Sequence, residues 1–296
     1  MKTFLITTST LVITLAAVLG TISKANAEEF IGFGQGGIDP GWGVINYPTI
    51  KHTPSNTNSI STYAELAYYT PTGFTGTKRD QFEFWVGTNI GYQNTHGMSN
   101  GSPFGVSFPG IGIEYYYGII QPRGLAGSPG YVSFWTSPTL SVAFPNGSAK
   151  SAGFGAGANQ FSYGFSDANY IQIGRFAATI NPIAFNFASR DLNATSVGNG
   201  GLEKLRGGLS VTLMDAAVGY QATNELFLGI HHEYNIFNMS ASDFKESREA
   251  SIGPSFTFLG FAKQGLYLNG NLDFDYYTSP GLRHSVAIAL AIAKTL

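Results

Sequence analysis

The side chains best equipped for chemistry are the run His231-His232-Glu233 and the pair Asp273 and Asp275. An imidazole held near carboxylates can act as a general base, and paired acids can activate water. Side chains along a strand alternate between faces, so His231 and Glu233 share one face, as do Asp273 and Asp275. The stretch between them carries Ser251 and Gly253, small enough to leave a gap across which His231 could meet a carboxylate. Base catalysis also needs a target within hydrogen-bond reach, which parity alone does not supply. The plainer reading is a polar network in an interior, and no catalytic residue is assigned. His52, His96, His231, His232 and His284 show no H-E-x-x-H spacing, and cysteine is absent, so neither a metal site nor a thiolate nucleophile is expected. Gly32-Phe33-Gly34-Gln35-Gly36-Gly37 spells the dinucleotide fingerprint. No strand precedes it, however, and Pro40, Gly41 and Gly43 stand where the phosphate-binding helix would begin. No cofactor is expected.

The elements that hold these residues must be strands. Only 11% of the 296 residues are charged, against about 25% in ordinary soluble domains. Aromatics make up 14%, and there are 38 glycines. Beyond the N-terminus no run approaches the ~20 apolar residues of a membrane helix. From Leu266 to Tyr277 alternation is unbroken: Leu266, Leu268, Leu272, Phe274 and Tyr276 oppose Tyr267, Asn269, Asn271, Asp273 and Asp275. It resumes after Thr278-Ser279-Pro280-Gly281, with Val286, Ile288, Leu290 and Ile292 opposing Ser285 and a row of alanines. Similar segments begin at Ile60, Phe82, Ile111, Val132, Leu205, Leu226 and Ile252. A parity change between Leu213 and Val218 predicts a bulge near Met214-Asp215, and Pro138 on an oily face suggests another. In Ile171 to Phe187 the parity changes between Ile180 and Ile183, read as a tight turn at Asn181-Pro182 in preference to a bulge.

One-sided strands fit either a sandwich with its oily face inward or a membrane barrel with that face toward lipid. Loop lengths separate the two. Back from the C-terminus, short connections such as Gln221 to Asn224 alternate with long polar ones, Asn238 to Ser247 and Ser189 to Lys204. Membrane barrels pair short periplasmic turns with long outer loops. The predicted fold is therefore all-β: a closed antiparallel transmembrane β-barrel of about 12 strands, with 10 or 14 as alternatives. Met1 to Ala27 reads as a signal peptide, with Lys2, an apolar stretch and the cleavage site Ala25-Asn26-Ala27. Residues 28–59 read as a flexible N-terminal segment and 60–296 as the barrel. The mature chain has 14 basic and 18 acidic residues, which gives no footing for nucleic acid.

The signal peptide, Tyr69-Thr70-Pro71-Thr72-Gly73, Phe144-Pro145-Asn146-Gly147-Ser148 and the last four hairpin-linked strands resemble the MetA-pathway of phenol degradation family. That resemblance implies an outer-membrane barrel with a channel or uptake role for small, often aromatic or apolar, compounds. One departure is the end of the chain. Such barrels usually finish on an aromatic, whereas this one finishes Lys294-Thr295-Leu296, with Lys294 on the lipid parity, where it can snorkel to the interface. Outer-membrane phospholipases and lipid A deacylases place a Ser two residues after the His, where this chain has Glu233. Omptin-like proteases use Asp-His and Asp-Asp pairs, which His231, Asp273 and Asp275 imitate loosely.

The parity assignments place Glu65, Glu83, Trp85, Glu114, Tyr116, Trp135, Arg206, His231, Glu233, Asp273 and Asp275 on the lumen wall. Tyr63, Asp215, Glu249, Arg175, Arg190 and Arg283 join them. The acidic excess predicts a small or gated conductance with modest cation preference. The expected partners are outer-membrane lipid, small-molecule solutes and the barrel-assembly machinery. A secreted β-sandwich binding module is the runner-up, and an outer-membrane hydrolase comes third.

Overall fold

The structure, a computed structural model, describes residues 40–53, 57–73, 80–95, 104–122, 125–145, 161–189, 196–198, 201–203, 208–237, 247–279 and 284–296. The signal segment 1–27, the fingerprint at 32–37 and the arginines at 190, 206 and 283 lie outside them. The strands are β1 (Gly41–Thr53), β2 (Thr57–Tyr69), β3 (Asp80–Thr95), β4 (Phe104–Ile120), β5 (Val132–Ala143), β6 (Ser162–Ile173) and β7 (Phe176–Ala188). There follow β8 (Ser196–Gly198), β9 (Gly201–Glu203), β10 (Gly208–Gln221), β11 (Leu226–Phe237), β12 (Ser247–Phe258), β13 (Leu266–Thr278) and β14 (Val286–Thr295). The short β8 and β9 pair only with each other. The other twelve form one closed antiparallel barrel, each hydrogen-bonded to its neighbour in the chain, with β14 returning to β1. Closure rules out the sandwich, which needs two separate sheets.

Why these residues make a barrel is visible on its two faces. Outward side chains are apolar and exposed: Val86, Ile111, Leu140, Ile230 and Ile252. Aromatics flank them at both ends. Trp42 packs on Tyr68 (5.2 Å) and Phe176 on Tyr220 (5.3 Å) at the end carrying the chain termini. At the other end Tyr163 meets Phe187 (6.4 Å) and Tyr234 meets Tyr277 (6.5 Å). Water would penalise such a continuous belt, while a hydrocarbon layer with aromatic girdles suits it. Strands of 10 to 17 residues match the ~9–11 residues of a tilted span with some excess.

Three expectations are corrected. Residues 28–59 are not all leader, because Gly41–Thr53 is the strand that closes the barrel. Its inward side chains include Ile45 and Tyr47 while Asn46 and Pro48 face outward, so no oily parity shows in the sequence. Asn181-Pro182 is not a turn. The hairpin bends at Gly174-Arg175, where Gly174 adopts φ 56°, and β7 runs on through Pro182. Pro138 sits in register opposite Asp167, and the slip on β5 lies against Gly118 and Ile120 of β4.

The expected bulge at Met214-Asp215 is present, with Met214 at φ 50° and a register shift between Leu213 and Ala216. β7 changes parity at the same level, so β7 and β10 stay in register, with Asp215 opposite Asn181. The slip appears instead against their outer neighbours β6 and β11. The net effect is local: Asp215 is swung fully inward.

Candidate functional site

Two aromatic clusters fill the lumen toward the end with the termini. Ile45, Tyr47, Tyr63, Tyr69, Trp85 and Tyr116 form one, together with alanines of β2 and β14. Trp135, Tyr170 and Phe227 form the other with Ala177 and Ala217. Glycines make the room. A Cβ on Gly112 would stand 2.1 Å from the Trp85 indole, and one on Gly87 would stand 2.5 Å from the Tyr63 hydroxyl. Acids are set among the rings: the Tyr116 hydroxyl donates to Glu83 at 2.8 Å, and a void of about 20 Å³ separates Glu83, Glu114 and Tyr116 from Trp135.

Beyond this filling, toward the long loops, the barrel opens into a cavity of about 350 Å³. Its wall on β11–β13 carries the strongest polar constellation. His231 bonds Asp215 through Nε2 at 2.8 Å and Asp273 through Nδ1 at 2.9 Å. The second contact passes over Gly253, whose strand pairs with β11 at His231. Beside it, Lys51 of β1 donates to Glu249 at 2.6 Å. Asp275 accepts from both the backbone N–H and the hydroxyl of Ser285, each at 2.6 Å. On the outer surface His232 bonds the Met214 carbonyl (3.0 Å) and the Tyr276 hydroxyl (2.9 Å), so the bulge is tied down from outside as well.

The lumen candidates fall as follows. Glu65, Glu83, Trp85, Glu114, Tyr116, Trp135, His231 and Asp273 are buried inward, and Glu233, Glu249 and Asp275 line the cavity half-buried. Arg206 lies outside the described residues. Arg175 is a correction: it is exposed in the β6–β7 turn, where its guanidinium reaches the carbonyls of Gln221 and Ala222 across the terminus end. Hydrogen bonding to these two carbonyls at the end of β10 keeps it out of the lumen. Lys51 is the lumenal residue that sequence reasoning missed, because β1 was taken for leader. Its signal was the odd-numbered set Tyr47, Thr49, Lys51, which is legible only once the strand is assumed.

Both ring nitrogens of His231 are occupied by carboxylates, which leaves neither to deprotonate a nucleophile. Among the described residues no three His, Asp or Glu side chains converge as metal ligands. What the arrangement offers is a rigid, charged wall facing an open cavity.

No family model and no curated protein matches the chain. Solved structures do. An outer-membrane channel from Pseudomonas putida F1 superposes with a TM-score of 0.64 at 12% identity, covering 93% of this chain and 100% of that one. The NanC porin (TM-score 0.45, 8% identity, 86% and 100% coverage) and the β domain of the Bordetella autotransporter BrkA (0.47, 9%, 87% and 100%) superpose less well. At 12% identity the likeness to the Pseudomonas putida F1 channel establishes the fold, a closed antiparallel β-barrel.

Proposed function

We propose that the chain is an outer-membrane channel for the uptake of small compounds. The observation that carries this reading is the pairing of an apolar, aromatic-girdled outer surface with an inner cavity of about 350 Å³ opening toward the long loops. Likeness to the Pseudomonas putida F1 channel supports it. The resemblance to the MetA-pathway of phenol degradation family adds aromatic or apolar compounds as the class carried. In this reading Met1 to Ala27 directs export and is removed, the barrel-assembly machinery inserts the barrel, and the shared terminus end, where the Leu296 N–H reaches the Trp42 carbonyl, faces the periplasm.

Reconstitution in a planar bilayer under a salt gradient tests the proposal. The expected result is a small conductance with modest cation preference, set by Glu233, Glu249, Asp273 and Asp275 on the cavity wall. Anion selectivity would mean that this wall does not face the ion path. Gel mobility that shifts on boiling should accompany a folded barrel, and a monomer soluble without detergent would overturn the membrane reading. The purified protein should turn over no ester, phospholipid or peptide. A hydrolytic activity abolished by His231→Ala would replace the channel with an enzyme.

A further inference from the structure

The loop-side cavity has two unlike walls. β1 and β11–β13 contribute Lys51, His231, Glu233, Glu249, Asp273 and Asp275. The opposite wall, from β2 to β7, is aromatic and small, with Tyr63, Trp85, Ser141, Ala143 and Ala184. On the charged wall, among the described residues, four carboxylates face Lys51 and an imidazole already held by Asp215 and Asp273. The excess is negative.

A second observation points to a ligand. The Ser251 hydroxyl and the Asn271 side-chain oxygen line this same cavity on residues 3% and 5% exposed, and neither has a hydrogen-bond partner among the described residues. Buried polar atoms are normally paired, so these two are placed to receive donors from something that enters the cavity. Among the described residues no group of His, Asp and Glu is arranged to hold a metal ion. A cation bearing its own N–H donors and its own bulk fits both walls.

Resting on the channel reading, we infer that this cavity binds small organic cations with an apolar or aromatic body. The ammonium group lies against Glu233, Asp273 and Asp275, where Ser251 and Asn271 accept its N–H groups. The body rests on Trp85 and Tyr63, whose rings meet edge to face at 5.9 Å and present π surface to it. Lys51, neutralised in part by Glu249 at 2.6 Å, trims the negative field and keeps binding weak enough for release.

The test uses the folded full-length barrel in detergent, titrated calorimetrically against micelle blanks with 2-phenylethylammonium, 2-phenylethanol and phenylacetate. These share a ring and differ in charge. The ammonium should bind about tenfold tighter than the alcohol, with phenylacetate weakest. Methylammonium, which lacks the ring, should bind more weakly than 2-phenylethylammonium. Glu233→Gln should lower the ammonium-to-alcohol ratio several-fold, Lys51→Met should raise it, and added salt should shrink it. A mobility shift on boiling reports folding of each variant, and should Glu233→Gln not fold, Lys51→Met carries the test. Equal affinity for ammonium and alcohol, or a ratio that ignores charge changes at these positions, overturns the inference. The channel reading fails separately: a bilayer-silent protein that still selects the ammonium keeps the site and loses the channel, and a conducting one without selection does the reverse.

Discussion

Replacing Gly253 with alanine should damage the barrel more than any other single added methyl on β12. An ideal Cβ there falls 1.7 Å from the Leu272 carbonyl oxygen, 2.7 Å from its carbon and 3.0 Å from the Asp273 Cα, all backbone atoms of β13. Carbon and oxygen come no closer than about 3.3 Å, so the two strands must part by about 1.6 Å. That is a third of the ~4.8 Å between paired strands. The methyl also intrudes where the His231–Asp273 contact crosses at 2.9 Å. Overpacking of about 1–3 kcal/mol and loss of a charged hydrogen bond, about 1.5–3 kcal/mol, together predict about 3–5 kcal/mol. The assay is urea unfolding of the refolded barrel in lipid vesicles, followed by tryptophan fluorescence, with Gly270→Ala as comparison. The Gly270 methyl would meet side chains, Phe256 and Leu290 at 2.6 and 2.7 Å, which can swing away. Equal destabilisation of the two variants, or a Gly253→Ala midpoint matching the parent, would refute the argument that rigid backbone contact sets the cost.

Three further outcomes follow from the lumen. Trp85→Ala should raise bilayer conductance by thinning the aromatic filling, and Gly112→Leu, which displaces the same indole, should alter conductance as well; unchanged traces for both would mean the ion path avoids that cluster. Tyr116→Phe removes the 2.8 Å donor to the buried Glu83 and should cost about 1.5–3 kcal/mol in the same urea assay. His231→Leu leaves Asp215 and Asp273 without the imidazole between them and should cost about 3–5 kcal/mol, and the added pair Asp215→Asn and Asp273→Asn should recover much of that loss.

The C-terminal half of the fold could be read in advance because its strands keep one chemistry per face. Leu266 to Tyr277 and Val286 to Ala293 alternate cleanly, and even the bulge at Met214-Asp215 announced itself by a parity change. β1 could not, since its inward Ile45 and Tyr47 belong to a packed interior where oily residues are as welcome as on the lipid side. β6 failed for the opposite reason. Asp167 and Asn169 point outward, and Asp167 is satisfied by the Thr136 hydroxyl at 2.7 Å. The strand count of about twelve therefore came out right while β1 was missed and β7 was cut in two by a turn at Asn181-Pro182. Of the site, the gap at Gly253 and the face shared by His231 and Glu233 were legible from side-chain size and period two. Asp215 as the second partner of His231 was not, because only the bulge, acting on β10 and β7 together, brings it there.

The seam where β14 meets β1 has a kinetic consequence. Gly43 pairs with Thr295 and His52 with Val286, contacts that span nearly the entire length of the barrel. Hairpin contacts between chain neighbours form at low entropic cost, whereas this one closes a very long loop and comes last. Until it forms, Gly41–Thr53 and Val286–Thr295 are open edges whose amides have no partner, a condition that hydrocarbon does not tolerate. Insertion should then proceed as one cooperative event gated by the arrival of the final strand. A chain lacking its last ten residues would stall as an open sheet and go to aggregation.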